Sequence, residues 1–199
     1  MKANLLVLLA FVFLMGSDGC IEVGVVDNGF MVTDDGVELS PGLLPMTVGI
    51  DATVESPDMV REAIAFWNDR LGMEVFVETD AVNDISVVEG YIEPDIYRDS
   101  SIYCLDSYNG SELELAGVRY ATDGMVISCD LIINVDYAYD DEYIRLGAKH
   151  GFGHCLAFED DPGIDETVEL RSIMSNPIDP LGDVTTHDRQ LFVDTASNR

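Results

Sequence analysis

Two of the chain's three histidines, His150 and His154, stand four residues apart in a stretch with helical patterning. At that spacing their side chains leave one face of a helix about one turn apart. Both imidazoles can then bind a single Zn²⁺ at roughly 2.0–2.1 Å each. Taken alone, such a pair more often marks core or surface histidines, so the surroundings decide. Asp160 comes six residues after His154, past the expected helix end, where a chain turning back can present a third ligand. Further on lies Ser172-Ile173-Met174-Ser175-Asn176-Pro177, a turn-like segment centred on a methionine. The third histidine, His187, is the other candidate for the third ligand, or else a surface residue just before Asp188.

At these residues the sequence resembles the metzincin zinc endopeptidases, and within them the matrixin-like group. Their signature is H-E-x-x-H-x-x-G-x-x-H, with Asp as an alternative last residue, followed by a Met-turn. Here the stretch reads His150-Gly151-Phe152-Gly153-His154-Cys155-Leu156-Ala157-Phe158-Glu159-Asp160, with Met174 at the place of the Met-turn. Pro45-Met46-Thr47-Val48, ahead of a helix ending Ala65-Phe66-Trp67-Asn68, looks like the first strand and helix of that domain. Thr186-His187-Asp188-Arg189 looks like the cap of its last helix. The resemblance implies zinc held by His150, His154 and Asp160, with Asn176 and Ile178 walling the pocket beyond the scissile bond. It also implies peptide-bond hydrolysis by zinc-activated water, on a polypeptide lying along an antiparallel edge strand.

Two departures stand out. The family's glutamate, which serves as general base, is Gly151 here, and glycine can do no proton chemistry. Losing a positioned base typically removes ~10²–10⁴-fold in rate, so weak or absent hydrolysis is expected. Glu142, Glu159 and Asp161 are the neighbours that could stand in for it. The family's glycine at the helix exit is Ala157, where a left-handed turn is strained.

The elements that must position these groups follow from periodicity. Residues 46–51 alternate as a strand, and Pro57 opens a helix with Val60, Ile64, Ala65, Trp67 and Leu71 at helical spacing, closed by Gly72. Residues 75–77 and 85–88 read as strands. Short strands joined by turns at Asn109-Gly110 and Asp123-Gly124 fill 102–135, ending in a central strand over 131–135 that is apolar except for Asn134. Asp140 or Asp141 caps a helix over 142–156, and 188–193 forms a short closing helix. The pattern is α+β. By resemblance it is a metzincin-like domain with a twisted, mostly parallel five-stranded sheet and an irregular C-terminal part.

Composition sets the outer bounds. The 199 residues carry 38 Asp+Glu against 10 Lys+Arg, a formal net charge of −28. Without clustered Lys and Arg there is no footprint for nucleic acid or for charge-driven docking on anionic lipid. Hydrophobic residues at 47% argue for a folded core rather than disorder. Residues 1–19 read as an export signal, with Lys2 ahead of an apolar run over 5–15. Cys20 at the cut suggests a bacterial lipid anchor. The expected location is therefore secreted or in the bacterial cell envelope, with membrane contact only through that anchor. Residues 20–44 are an acidic, Gly/Asp-rich lead-in, and 45–199 the metallopeptidase-like domain. Export permits disulfides. Cys104 with Cys129 is the preferred pair, leaving Cys155 as a buried apolar residue. Acidic runs at 140–142 and 160–161 are weak candidates for calcium. Two functional readings result: a zinc metallopeptidase of low activity, or a non-catalytic pseudopeptidase that binds a peptide or partner.

Overall fold

The computed structural model describes residue 39 and residues 42–81, 83–92, 106–110, 113–120, 126–136, 140–158, 160, 171–175 and 178–197. The export signal expected over 1–19, Cys20, most of the lead-in, Cys104, the turn expected at Asp123-Gly124, Glu159, Asp161 and Asn176 lie outside these.

The chain opens with β1 (Met46–Ile50), whose Met46 and Val48 are buried in alternation, as one strand face on a core requires. Helix α1 (Pro57–Leu71) starts with proline in its first turn and buries Val60, Ala63, Ile64 and Trp67 along one stripe. Gly72, with φ 69°, ends it as anticipated, its N–H bonding Asp69 O at 3.2 Å. Strands β2 (Phe76–Glu78) and β3 (Ile85–Gly90) follow. Next come β4 (Asp106–Gly110), β5 (Glu114–Tyr120) and β6 (Val126–Asn134), then α2 (Asp141–Cys155) and α3 (Thr186–Ser197).

The strands form one sheet in the order β2-β1-β3-β6-β5-β4. The pairings among β2, β1, β3 and β6 are parallel, while β5 runs antiparallel to β6 and β4 antiparallel to β5. The α+β, mostly parallel character matches the sequence expectation. Five strands of the expected sheet are β2, β1, β3, β6 and β5, and β4 is an additional strand on the outer edge of β5. Asn109 and Gly110, expected in a turn, instead pair with Ala116 and Leu115 inside the β4–β5 ladder. Their turn chemistry is overridden by the partner strand. The strand expected over 131–135 is central, and along β6 Cys129, Leu131 and Ile133 are fully buried in alternation, with Val126 buried at its start and Asn134 at its end, while Val135 lies beyond the strand and exposed. Helix α3 is longer than expected. Its first turn is fixed by a capping box in which Thr185 Oγ1 accepts from Asp188 N and the Asp188 carboxylate accepts from Thr185 N.

The cysteine pairing differs from expectation. Cys129 on β6 is bonded to Cys155 on the last turn of α2, with Cα atoms 5.5 Å apart, inside the span that a disulfide requires. Cys129 is therefore not available to Cys104, and Cys155 is a crosslink rather than an apolar filler. The reason is tertiary: α2 lies across the sheet so that its C-terminal turn meets β6. The bond pins the histidine-bearing helix to the central strand. Among the described residues, no helix is long and apolar enough to cross a membrane.

Candidate metal centre

His150 and His154 lie on the buried face of α2, whose start is capped by Asp140 accepting from Glu142 N at 2.8 Å. Both side chains are almost wholly inaccessible, at 0% and 1%. Each commits its Nδ1 to a backbone carbonyl: His150 to Ile173 O and His154 to Phe158 O, both at 2.9 Å. A carbonyl can only accept, so each Nδ1 carries the hydrogen, and in the neutral imidazole each Nε2 presents a lone pair. That arrangement orients imidazoles for a metal.

The helix exit supplies the third group. Ala157 adopts the left-handed conformation, φ 68°, the strain expected where the motif that the sequence resembles has glycine. Its N–H bonds His154 O at 2.8 Å, and Phe158 N–H bonds Gly153 O at 3.0 Å, together a Schellman closure. This reversal carries Phe158 O to His154 and returns Asp160 to the histidines. Asp160 Oδ1 lies 3.0 Å from His150 Nε2 and 3.4 Å from His154 Nε2.

A further carboxylate arrives from the sheet. Glu114, the first residue of β5, is fully buried, and its Oε1 stands 3.9 Å from His150 Nε2 and 4.0 Å from His154 Nε2. The donor atoms of Glu114, His150 and His154 all lie within 4.8 Å of one another, so this buried group could hold a metal ion. Tetrahedral donors at roughly 2.0–2.1 Å from one zinc stand about 3.3–3.4 Å apart; the Asp160 distances lie close to that spacing, and those of Glu114 exceed it by about half an ångström. Nitrogen and carboxylate donors of this kind suit zinc without being specific to it.

The charges agree with a cation-binding pocket. Burial opposes protonation of His150, but the Glu114 charge and the hydrogen bond with Asp160 outweigh it and hold its pKa above the ordinary imidazole value. Burial dominates at His154 and pushes its pKa down, against the Asp160 bond. Asp160 is penalised by burial, yet its bonds to both imidazoles keep its carboxyl far below the usual carboxylate range.

The remaining candidates fall in different places. Met174 is buried in a turn that Ser172 organises, Ser172 Oγ accepting from Met174 N and donating to Asp188. The methionine packs against α2 at Gly153, where an added Cβ would lie 2.1 Å from Met174 Sδ and 3.0 Å from Trp67 Cζ2. Trp67 is core, donating from Nε1 to Lys149 O at 2.7 Å. Ile178 is half-buried and His187 is exposed on the first turn of α3. Glu142 is taken up in an exposed ion pair with Arg145, away from the buried face. The acidic run at 140–142 is spent on capping α2, on Ser56 and on Arg145.

Glu114 is the residue that sequence reasoning missed. Nothing in linear spacing ties it to His150. The one trace is indirect: Gly147 and Gly151 sit one turn apart on α2, a pairing that leaves helix surface open to a close neighbour. No protein-family model matches the chain, and no curated protein matches its sequence.

Proposed function

We propose that this chain is an exported, metzincin-like zinc-binding protein whose ion is held by His150, His154 and Asp160. Peptide-bond hydrolysis, the reaction its motif suggests, is weak or lost. The observation that carries the reading is convergence: two imidazole Nε2 atoms, each oriented through a carbonyl-bound Nδ1, face one Asp160 oxygen at 3.0 and 3.4 Å. A bound zinc would supply Lewis acidity and lower the pKa of water. What the protein contributes is orientation, a dry pocket and the return of Asp160 through the Ala157 turn. Met174, packed under the helix at Gly153, acts in this reading as the Met-turn. The Cys129–Cys155 bond supports an oxidising location, and Cys20 supplies the anchor to the envelope.

One observation favours the second, non-catalytic reading. The strand expected to receive an extended substrate is β5, and its outer edge is already paired with β4 along Asp106–Gly110. Added to glycine at position 151, this supports a pseudopeptidase role in which the ion holds structure and a peptide or partner is bound elsewhere. The test is metal content of the purified protein together with cleavage of unfolded polypeptides. One zinc per chain, a melting temperature that falls with chelator and negligible cleavage are expected. Absence of stoichiometric metal refutes the proposal, and chelator-sensitive turnover restores the enzymatic reading.

A further inference from the structure

We infer that Glu114 is a fourth metal ligand, admitted to the site by the glycines of α2, so that the ion sits in a closed shell of two histidines and two carboxylates. The inference rests on the metal-binding reading above. Its starting point is the fit between strand and helix. A Cβ added at Gly147 would lie 3.5 Å from Glu114 Cβ, and one added at Gly151 would lie 3.0 Å from Glu114 Cγ. The Glu114 side chain therefore runs along the groove that these two glycines leave on α2 and ends at the histidines. A side chain at position 151, such as the glutamate of the related motif, would take that space. The missing helix carboxylate and the extra strand carboxylate are one exchange.

Geometry then assigns the role. Glu114 Oε1 is nearly equidistant from His150 Nε2 and His154 Nε2, at 3.9 and 4.0 Å. It thus lies close to the plane midway between the two lone pairs, where an ion shared by both must also lie. A proton there bridges one pair of atoms, whereas a dication is shared by all the donors. Charge points the same way. Burying carboxylates is costly unless a cation accompanies them, and two carboxylates with one dication make a neutral site. Zinc sites with four protein ligands are structural, while catalytic ones keep a position open. Glu114 fills that position.

The experiment uses the full-length protein with zinc and cobalt(II) as probes. Glu114→Gln is expected to lower zinc affinity by more than about 10²-fold, beyond the 10–100-fold typical of groups outside the coordination shell, and to change the cobalt(II) visible band. Acetohydroxamate, which enters open metal positions, is expected to leave the wild-type cobalt(II) band unchanged. Affinity within about threefold of wild type overturns the inference, as does a larger loss with an unchanged cobalt band, or a wild-type band that shifts with acetohydroxamate. Should Glu114→Gln fail to fold, the wild-type hydroxamate titration decides alone. A wild-type protein that takes up neither metal overturns the underlying reading instead, which separates the two failures.

Discussion

Placing the glutamate of the metzincin motif that the sequence resembles at position 151, Gly151→Glu, looks from the sequence like a repair. From the structure it is an injury. A Cβ at position 151 lies 2.2 Å from Leu131 Cδ1 and 3.0 Å from Glu114 Cγ. Leu131 is a buried core residue of the central strand, so it cannot swing into solvent. Overpacking of this kind costs about 1–3 kcal/mol, while replacing a helical glycine returns only about 0.5 kcal/mol. The expected net loss is about 0.5–2.5 kcal/mol, and a second carboxylate beside Glu114 adds to it. The assay is urea unfolding with chelator present and the disulfide intact, run on wild type, Gly151→Glu, Glu114→Ala and the double variant. Truncating Glu114 frees part of the space, so Gly151→Glu should cost less in that background, with a coupling energy of about 1 kcal/mol or more. A single variant as stable as wild type, or a cycle additive within about 0.5 kcal/mol, refutes the claim that the two residues share one volume.

Other outcomes follow from the same geometry. Ala157→Gly should raise unfolding free energy by about 0.5–1 kcal/mol, because relief of left-handed strain exceeds the added freedom of the unfolded chain; a loss of stability in denaturant titration counts against it. Peptide mapping of the unreduced protein should recover Cys129 joined to Cys155. With a sequence separation of 26, breaking that bond should lower stability by about 3.5 kcal/mol on the loop-entropy account. Metal-free protein should be most stable near the ordinary imidazole pKa, about 6.5. His150, with its raised pKa, contributes stability that is complete below that value and lost as pH rises through its folded pKa. His154, with its lowered pKa, costs stability as pH falls from that value towards its folded pKa, below which the loss is complete. On the zinc-binding reading, added zinc should reverse the alkaline limb, since bound ligands must be unprotonated; melts across pH with and without zinc check this.

Much of the site was legible because it is local. The helical period alone places His150 and His154 on one face of α2, and the break after Leu156 leaves room for Asp160 to return. Trp67 and the stripe along α1, Gly72 as its end, and the strands flanking it follow equally from period and capping, because backbone geometry fixes those intervals whatever the rest of the chain does. The strain at Ala157 is also local, a property of one residue type at one φ.

What tertiary structure decided is everything that depends on which strand lies beside which, and on where a helix crosses a sheet. Glu114 reaches the histidines only because β5 pairs with β6 in a register that sets it against Gly147 and Gly151. The same crossing brings Cys155 onto Cys129, and the ladder with β4 turns Asn109 and Gly110 from a turn into an edge. Periodicity encodes neighbours three and four residues apart. Sheet register and helix docking join residues at arbitrary separation, chosen by the burial of the whole core, and no local pattern of residues records that choice.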